Sequence, residues 1–290
     1  MKILVTGANG FVGRALVKAL VLAGHVVDAL DRCEDGFWKD QAIRHFYVQD
    51  ITVPFMLNDA WDVVYHLAAH NVTHVGDATG EMYERINVKG TAHVIKAAPA
   101  GRFIFLSTVK VYERHAGAID ESGALAPVGL YERSKLEAEN LCRQLIAPEN
   151  LVILRSVNIF GAGQPDKAAV PVFFRKALRG EPIEIFGPRR QCLQLLDVLD
   201  MAGFLSRVAA VPGVNGIFNV AARDIIRLDE LVLLIKDICS SSSVIEWRNN
   251  DDEDEVRYAC ARTQTVFGWT PQMSLKQSLQ KCYDFYGRQE

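Results

Sequence analysis

The chain has no uninterrupted apolar run long enough to cross a bilayer. Residues 11–23 come nearest, but Arg14 and Lys18 interrupt them at helical spacing, short of the ~20 apolar residues a span needs. That stretch reads as an amphipathic helix. The chain enters Ile3-Leu4-Val5 directly after Met1-Lys2, with no charged region, apolar stretch and cleavage site, so a cytoplasmic location is expected. An excess of charge is missing too. With 32 Lys+Arg against 35 Asp+Glu the formal net charge is -3, which recommends neither nucleic acid nor an anionic membrane and points to a small-molecule partner. The six cysteines, Cys33, Cys142, Cys192, Cys239, Cys260 and Cys282, form no CxxC pair and no dense framework, so they are expected to be reduced, mostly structural thiols. No internal repeat is present.

What the chain does contain is an ordinary globular composition: 290 residues, 49% hydrophobic and 23% charged, enough for one large or two interdependent domains. Short β-branched runs alternate with longer segments of helical period, predicting strands at residues 2–6, 26–31, 44–49, 63–67, 103–107 and 151–155. Six such units imply an α/β fold, a doubly wound parallel sheet (Rossmann) over residues 1–160, with ligands beyond the carboxyl ends of the strands. After Gly161 the regularity breaks at Pro165, Pro171, Pro182 and Pro188, which suggests a smaller C-terminal substrate-binding region over 161–290. A return to the sheet is expected near 216–221, followed by a helix over 228–238. Ser240 to Ser243 and the acidic run 251–255 read as exposed loop.

The segment Thr6-Gly7-Ala8-Asn9-Gly10-Phe11-Val12-Gly13 joins the first strand to the first helix with GxxGxxG spacing. Gly7 suits a tight turn, Gly10 a close approach of pyrophosphate to the backbone, and Gly13 close packing of helix on strand, while the helix N-terminus offers unpaired N–H groups. A dinucleotide is the natural ligand. Asp31 follows Gly13 by 18 residues, where a carboxylate accepts hydrogen bonds from the adenosine ribose. That favours NAD over NADP, whose 2′-phosphate would meet like charge, partly offset by Arg32. Asp50-Ile51 suits an adenine-edge contact or a helix N-cap equally.

Tyr131 and Lys135 stand four residues apart, which places both on one face of a helix. A phenol titrating near ~10 becomes a usable base only when a fixed cation favours phenolate, so the pair is either a proton-transfer unit or a solvated face. The intervals of His66, His70 and His74 resemble a metal-binding face. His66 ends a strand and no acidic residue completes a site, so no metal is expected, and His70 and His74 are kept as substrate-loop residues.

Together these segments make the chain resemble the extended short-chain dehydrogenase/reductase family, in particular its sugar-nucleotide epimerase/dehydratase group typified by UDP-galactose 4-epimerase. The likeness rests on TGANGFVG at 6–13, HLAA at 66–69, NVKGT at 87–91, LSTVKVY at 106–112 and YERSK at 131–135. It continues in LRSVNIFGAG at 154–163, GEPIEIFG at 180–187 and FGWTP at 267–271. The resemblance implies Tyr131 as base, Lys135 as partner of the nicotinamide ribose and holder of the phenolate, and Thr108 as partner of the reacting oxygen. It implies cofactor contacts from Gly7, Asn9, Gly10, Phe11, Val12, Gly13, Leu67, Ala68 and Ala69, with Asn87 supporting the site. Asn158 joins His70 and Thr108 on the substrate, expected to be a nucleotide sugar, and a homodimer is implied through the helices after Glu81 and Tyr131.

The reaction implied is oxidation to a 4-keto sugar, followed by return of hydride to the other face (epimerisation) or release (a dehydrogenase, in reverse a reductase). A dinucleotide-binding regulator without chemistry is a third reading, against which the intact Tyr131 and Lys135 stand. Several positions depart from the family. Val109 and Lys110 stand where its dehydratases carry Asp-Glu, Glu113 where glycine is usual, and Leu193 where an arginine grips the diphosphate. Arg189, Arg190 and Arg257 are the candidates for that grip. Ser107 is expected to be a strand-end hydroxyl bonded to backbone.

Overall fold

The computed structural model describes residues 1–71, 79–248 and 255–289, so His74 and most of the acidic run at 251–255 lie outside the described residues. The first half of the chain runs β1 (Lys2–Thr6), α1 (Phe11–Leu22), β2 (Val26–Asp31), β3 (His45–Val48), β4 (Trp61–His66), α2 (Gly80–Tyr83), α3 (Gly90–Ala97), β5 (Ala100–Thr108), β6 (Gly117–Ile119), α4 (Leu130–Leu145) and β7 (Leu151–Ser156). A π-helical turn, Glu84–Lys89, joins α2 to α3. There follow β8 (Asn158–Phe160), α5 (Ala169–Arg179), β9 (Ile183–Ile185), β10 (Cys192–Asp197), α6 (Val198–Ala210), β11 (Gly216–Val220), β12 (Ile225–Arg227), α7 (Leu228–Ile238), β13 (Ile245–Trp247), β14 (Val256–Tyr258), α8 (Ala261–Phe267) and α9 (Leu275–Tyr286).

Seven parallel strands form the central sheet in the order β11-β7-β5-β4-β1-β2-β3. Both faces are covered, which is why the strands read as continuous apolar runs rather than alternating ones. Ile3 and Val5 point to the side packed by Leu16 and Leu20 of α1 and by Phe204 and Leu205 of α6. Leu4 points to the other side, with Val94 of α3 and Ala138 of α4. The strand reversal lies between β1 and β4, so the loops after these two strands open into one crevice.

The later elements build a second core from α5, α7 and α9 around Phe174, Leu231, Ile235 and Tyr286. A three-stranded sheet, β12-β10-β8, and two strand pairs, β13-β9 and β14-β6, stand apart from the main sheet. Cross-ties hold the halves together: Asp200 of α6 accepts from the backbone N–H of Gln272 at 3.1 Å and Met273 at 3.0 Å. Buried Arg102 of β5 donates to the carbonyls of Val208 (2.6 Å), Val211 (2.8 Å) and Val214 (2.7 Å), satisfying the end of α6. Among the described residues no helix is long and apolar enough to cross a membrane.

Candidate active site

The loop between β1 and α1 has little room for side chains. Gly7 has φ +70°, and a Cβ there would lie 2.6 Å from the Ala68 nitrogen, so the β1 and β4 loops touch backbone to backbone. A Cβ on Gly13 would lie 2.1 Å from the Gly7 carbonyl oxygen, which lets the first turn of α1 lie directly on the loop. Gly10 precedes the helix and supplies no side-chain cap. The bare N-terminus, with Phe11 and Val12 in its first turn, is a backbone cradle that fits a phosphate.

Asp31 ends β2 at the rim of this cradle. One carboxylate oxygen accepts from the Asn9 N–H at 2.9 Å and the other from the Arg32 N–H at 2.8 Å, so the group is held in place with lone pairs to spare. The side chain of Asn9 binds the Cys33 carbonyl and accepts from the Trp38 indole N–H, while Arg14 pairs with Asp35. These contacts latch the segment after β2 onto the glycine loop. Trp38, which is buried, was not foreseen from sequence because its hydrogen-bond partner Asn9 is remote in the chain. Asp50 is exposed and accepts from the Thr52 N–H at 2.8 Å, a bond that lowers its pKa, and Ile51 is buried against Gly90.

His66 is fully enclosed between two threonines, 2.7 Å from Thr6 Oγ1 and 2.9 Å from Thr91 Oγ1. Because Thr91 already donates to the Asn87 carbonyl at 2.6 Å, it accepts from His66 Nε2–H, leaving Nδ1 to accept from Thr6. Burial, helped by the Lys135 charge, lowers this imidazole to about 3, against 6.5 when free. A lowered folded pKa means the contribution of neutral His66 to stability is complete above pH 6.5 and is lost as pH falls from there toward 3. Thermal melts across that window should show a slope of up to about 1.4 kcal/mol per pH unit from this group. In His66→Gln that part of the slope should vanish. Among the described residues no group of three or more His, Cys, Asp or Glu is placed to hold a metal.

The loop after β4, with Leu67, Ala68 and Ala69 partly exposed, is fixed by Asn87 from the π-helical turn. Asn87 Oδ1 accepts from the His70 N–H at 2.7 Å, and its Nδ2 donates to the His70 carbonyl (3.0 Å) and to Ser134 Oγ (2.9 Å). Ser134 donates in turn to the Tyr131 carbonyl at 2.7 Å, joining this loop to α4. The His70 ring lies 5.1 Å from Tyr83, itself 6.3 Å from Tyr131. His70 Nε2 is buried without a partner among the described residues.

Thr108 stands at the end of β5, and its Oγ1 accepts from the Lys110 N–H at 3.2 Å. Tyr131 and Lys135 lie on α4, which packs against β5 and β7, so all three come from the carboxyl edge of the sheet. Tyr131 keeps part of its surface exposed, yet burial of the group and then the charge of Glu132 push its phenol above the ordinary value. Burial brings Lys135 down to about 8, and its Nζ lies 4.0 Å over the Phe105 ring. Burial, not the lowering by Lys135 that the spacing suggests, governs Tyr131 here, with Lys135 lying against Phe105.

Behind them lies a buried polar group that the sequence reading did not find. Ser107 Oγ donates to Glu139 Oε1 at 2.6 Å, not to backbone as expected, because Glu139 reaches across from α4. Arg155 of β7 clasps the same carboxylate at 3.0 and 2.7 Å and lies 4.7 Å over Tyr112. Tyr112 donates to Asn219 Oδ1 at 2.8 Å. Glu113, in the place of the family's glycine, is not among the residues with positive φ, so its backbone is unstrained.

The expected substrate-side residues are more dispersed. Asn158 is exposed at the start of β8. Leu193 turns into the C-terminal core with Leu195 and Ile226. Arg189 pairs with Asp229 at 3.8 Å and lies 5.5 Å from the Trp247 ring, Arg190 is exposed, and Arg257 of β14 pairs with Glu255 at 3.7 Å. Arg189 and Arg257 have separate acidic partners, and among the described residues no shared clamp joins the three arginines.

A family profile described as the NAD dependent epimerase/dehydratase family matches residues 3–221. The chain is 29% identical to the low-salt glycan biosynthesis protein Agl12 of Haloferax volcanii, over 99% of this chain and 98% of that one. It is also 29% identical to the GDP-6-deoxy-D-mannose reductase of Pseudomonas aeruginosa, over 96% of this chain and 94% of that one. Among solved structures, UDP-glucuronic acid 4-epimerase from Bacillus cereus in complex with NAD superposes with a TM-score of 0.87, 25% identity and 99% coverage of both chains.

Proposed function

The chain belongs to the NAD dependent epimerase/dehydratase family, and from that premise we propose that it is an NAD-dependent nucleotide-sugar epimerase that inverts C4 through a 4-keto intermediate. The observation that carries this reading is the grouping of Thr108, Tyr131 and Lys135 at one sheet edge, followed by buried Val109 and exposed Lys110. With an apolar side chain and a cation there, no carboxylate follows Thr108 to eliminate water. Their identity supports oxidation and its reversal over dehydration.

The glycine cradle and the Asp31 carboxylate fit the pyrophosphate and adenosine ribose of NAD, and NAD, when bound, supplies a reversible hydride acceptor for the sugar carbon. Tyr131 takes the proton of the C4 hydroxyl as that carbon gives up hydride, Thr108 holds the same oxygen, and Lys135 supplies the positive charge that favours phenolate. Burial raises the Tyr131 phenol and Lys135 lies over Phe105, so activation of the phenol needs Lys135 turned toward it. Hydride and proton then return with the sugar's other face presented, and no cofactor is consumed.

Incubation with NAD and UDP-glucuronic acid, UDP-glucose or UDP-galactose, read by NMR of the sugar, is expected to show conversion of at least one into its C4 epimer without lasting change at the nicotinamide absorbance band. No conversion of any of them would count against the reading. A reductase or dehydrogenase of a keto-sugar is the second reading, favoured by Leu193, which offers no cation to a diphosphate. It predicts an absorbance change equal to the substrate consumed.

A further inference from the structure

We propose that Glu139 is a positioning residue of the active site, a buried carboxylate that fixes the helix bearing Tyr131 and Lys135 against the strand bearing Thr108. The proposal rests on the roles given to those three residues above. Tyr131, Lys135 and Glu139 follow one another at intervals of four along α4 and therefore share a face. The first two reach the crevice and the third reaches the sheet. Glu139 is 0% exposed, and its two oxygens receive four hydrogen bonds. Ser107 (2.6 Å) comes from β5, Arg155 (3.0 and 2.7 Å) from β7, and Arg143 (3.0 Å) from the next turn of α4.

Ser107 immediately precedes Thr108, so the bond from Ser107 to Glu139 sets the register between catalytic helix and catalytic strand one residue from the reacting oxygen's partner. Stability alone is a weak reason for such a group, because apolar side chains of similar volume often replace a buried ion pair without loss. A carboxylate with four directional donors does what apolar packing does not: it allows one placement of α4 on β5.

The carboxylate also shapes the field at the site. Lys135 faces Phe105 of β5 and neutral His66 of β4, with Glu139 and Cys142 on its own helix, and Tyr131 faces Glu132 and Tyr83. Glu139 opposes the lowering of Lys135 by burial. Without its charge, Arg155 and Arg143 lose their partner, and Lys135 loses a carboxylate that raises it.

The test compares the full-length wild type with Glu139→Gln, Glu139→Asp and Tyr131→Phe, using UDP-glucuronic acid with NAD as the probe, or the UDP-hexose turned over if that acid is not. Glu139→Gln is expected to lower kcat by about 10²-fold, the scale of a small misplacement, with KM within a few-fold. The limb of its kcat–pH profile set by Lys135 should move to lower pH, and Glu139→Asp should recover part of the rate. A folded Glu139→Gln protein with wild-type kcat and pH profile overturns the proposal. If that variant does not fold, Ser107→Ala, which removes one oxygen, takes its place: about 10-fold lower kcat at unchanged KM supports the proposal, and wild-type kcat overturns it. Full activity in Tyr131→Phe would instead remove the functional reading beneath it, so the two failures are distinguishable.

Discussion

Tyr131→Phe is expected to lower kcat by about 10²–10⁴-fold, the usual worth of a positioned general base, while leaving dinucleotide affinity close to that of the wild type. The substitution removes one oxygen from a ring whose contacts are aromatic, with Tyr83 at 6.3 Å, so packing changes little. Among the described residues the hydroxyl makes no hydrogen bond whose loss would unfold α4, since the tie from this residue to Ser134 and Asn87 runs through its backbone carbonyl. Single-turnover assays on the sugar nucleotide and fluorescence titration with NAD measure the two quantities separately. Activity within threefold of wild type would remove Tyr131 as the base.

Gly13→Ala is expected to abolish dinucleotide binding and to cost about 1–3 kcal/mol of stability, the range for overpacking a closed site. The new methyl would stand 2.1 Å from the Gly7 carbonyl oxygen and 2.9 Å from the Ala8 Cα, both backbone atoms that cannot rotate away. Either α1 lifts from β1 or the loop deforms, and each spoils the cradle. Gly24→Ala is the control: its φ is +79° but nothing lies within 4 Å, so only the left-handed backbone penalty of about 1–2 kcal/mol applies and NAD binding should persist. Thermal melts combined with NAD titration tell the outcomes apart. Gly13→Ala with wild-type NAD affinity would refute the packing argument.

Where local pattern and burial coincide, the fold was legible. β1 and β2 occupy residues 2–6 and 26–31 as read, and α7 spans 228–238, because runs buried on both faces and an amphipathic helix each leave a clear period. The glycine loop was legible for the same reason: its spacing answers to the geometry of one turn. Ser107 was misjudged because its partner belongs to another element, and a strand-end hydroxyl carries no mark of what crosses over it. Glu139 did leave a signal, as the third member of the series begun by Tyr131 and Lys135, but a carboxylate on a helix usually faces water. The grip on the substrate is the least legible part, since Leu193, Arg189 and Arg257 are placed by small strands of three to six residues, β10, β12, β13 and β14, held by long-range pairing rather than by their own pattern.

The strand order has a consequence for the chain as it leaves the ribosome. Six of the seven central strands have been made by residue 156, with β1 already flanked by β2 and β4, so the cradle and the catalytic edge can assemble early in translation. The outer edge of β7, the apolar LVILRS, has no neighbour until β11 emerges some sixty residues later. During that interval a nascent sheet carries an open, sticky edge of the kind that recruits other chains. The final strand therefore acts as a seal on that edge.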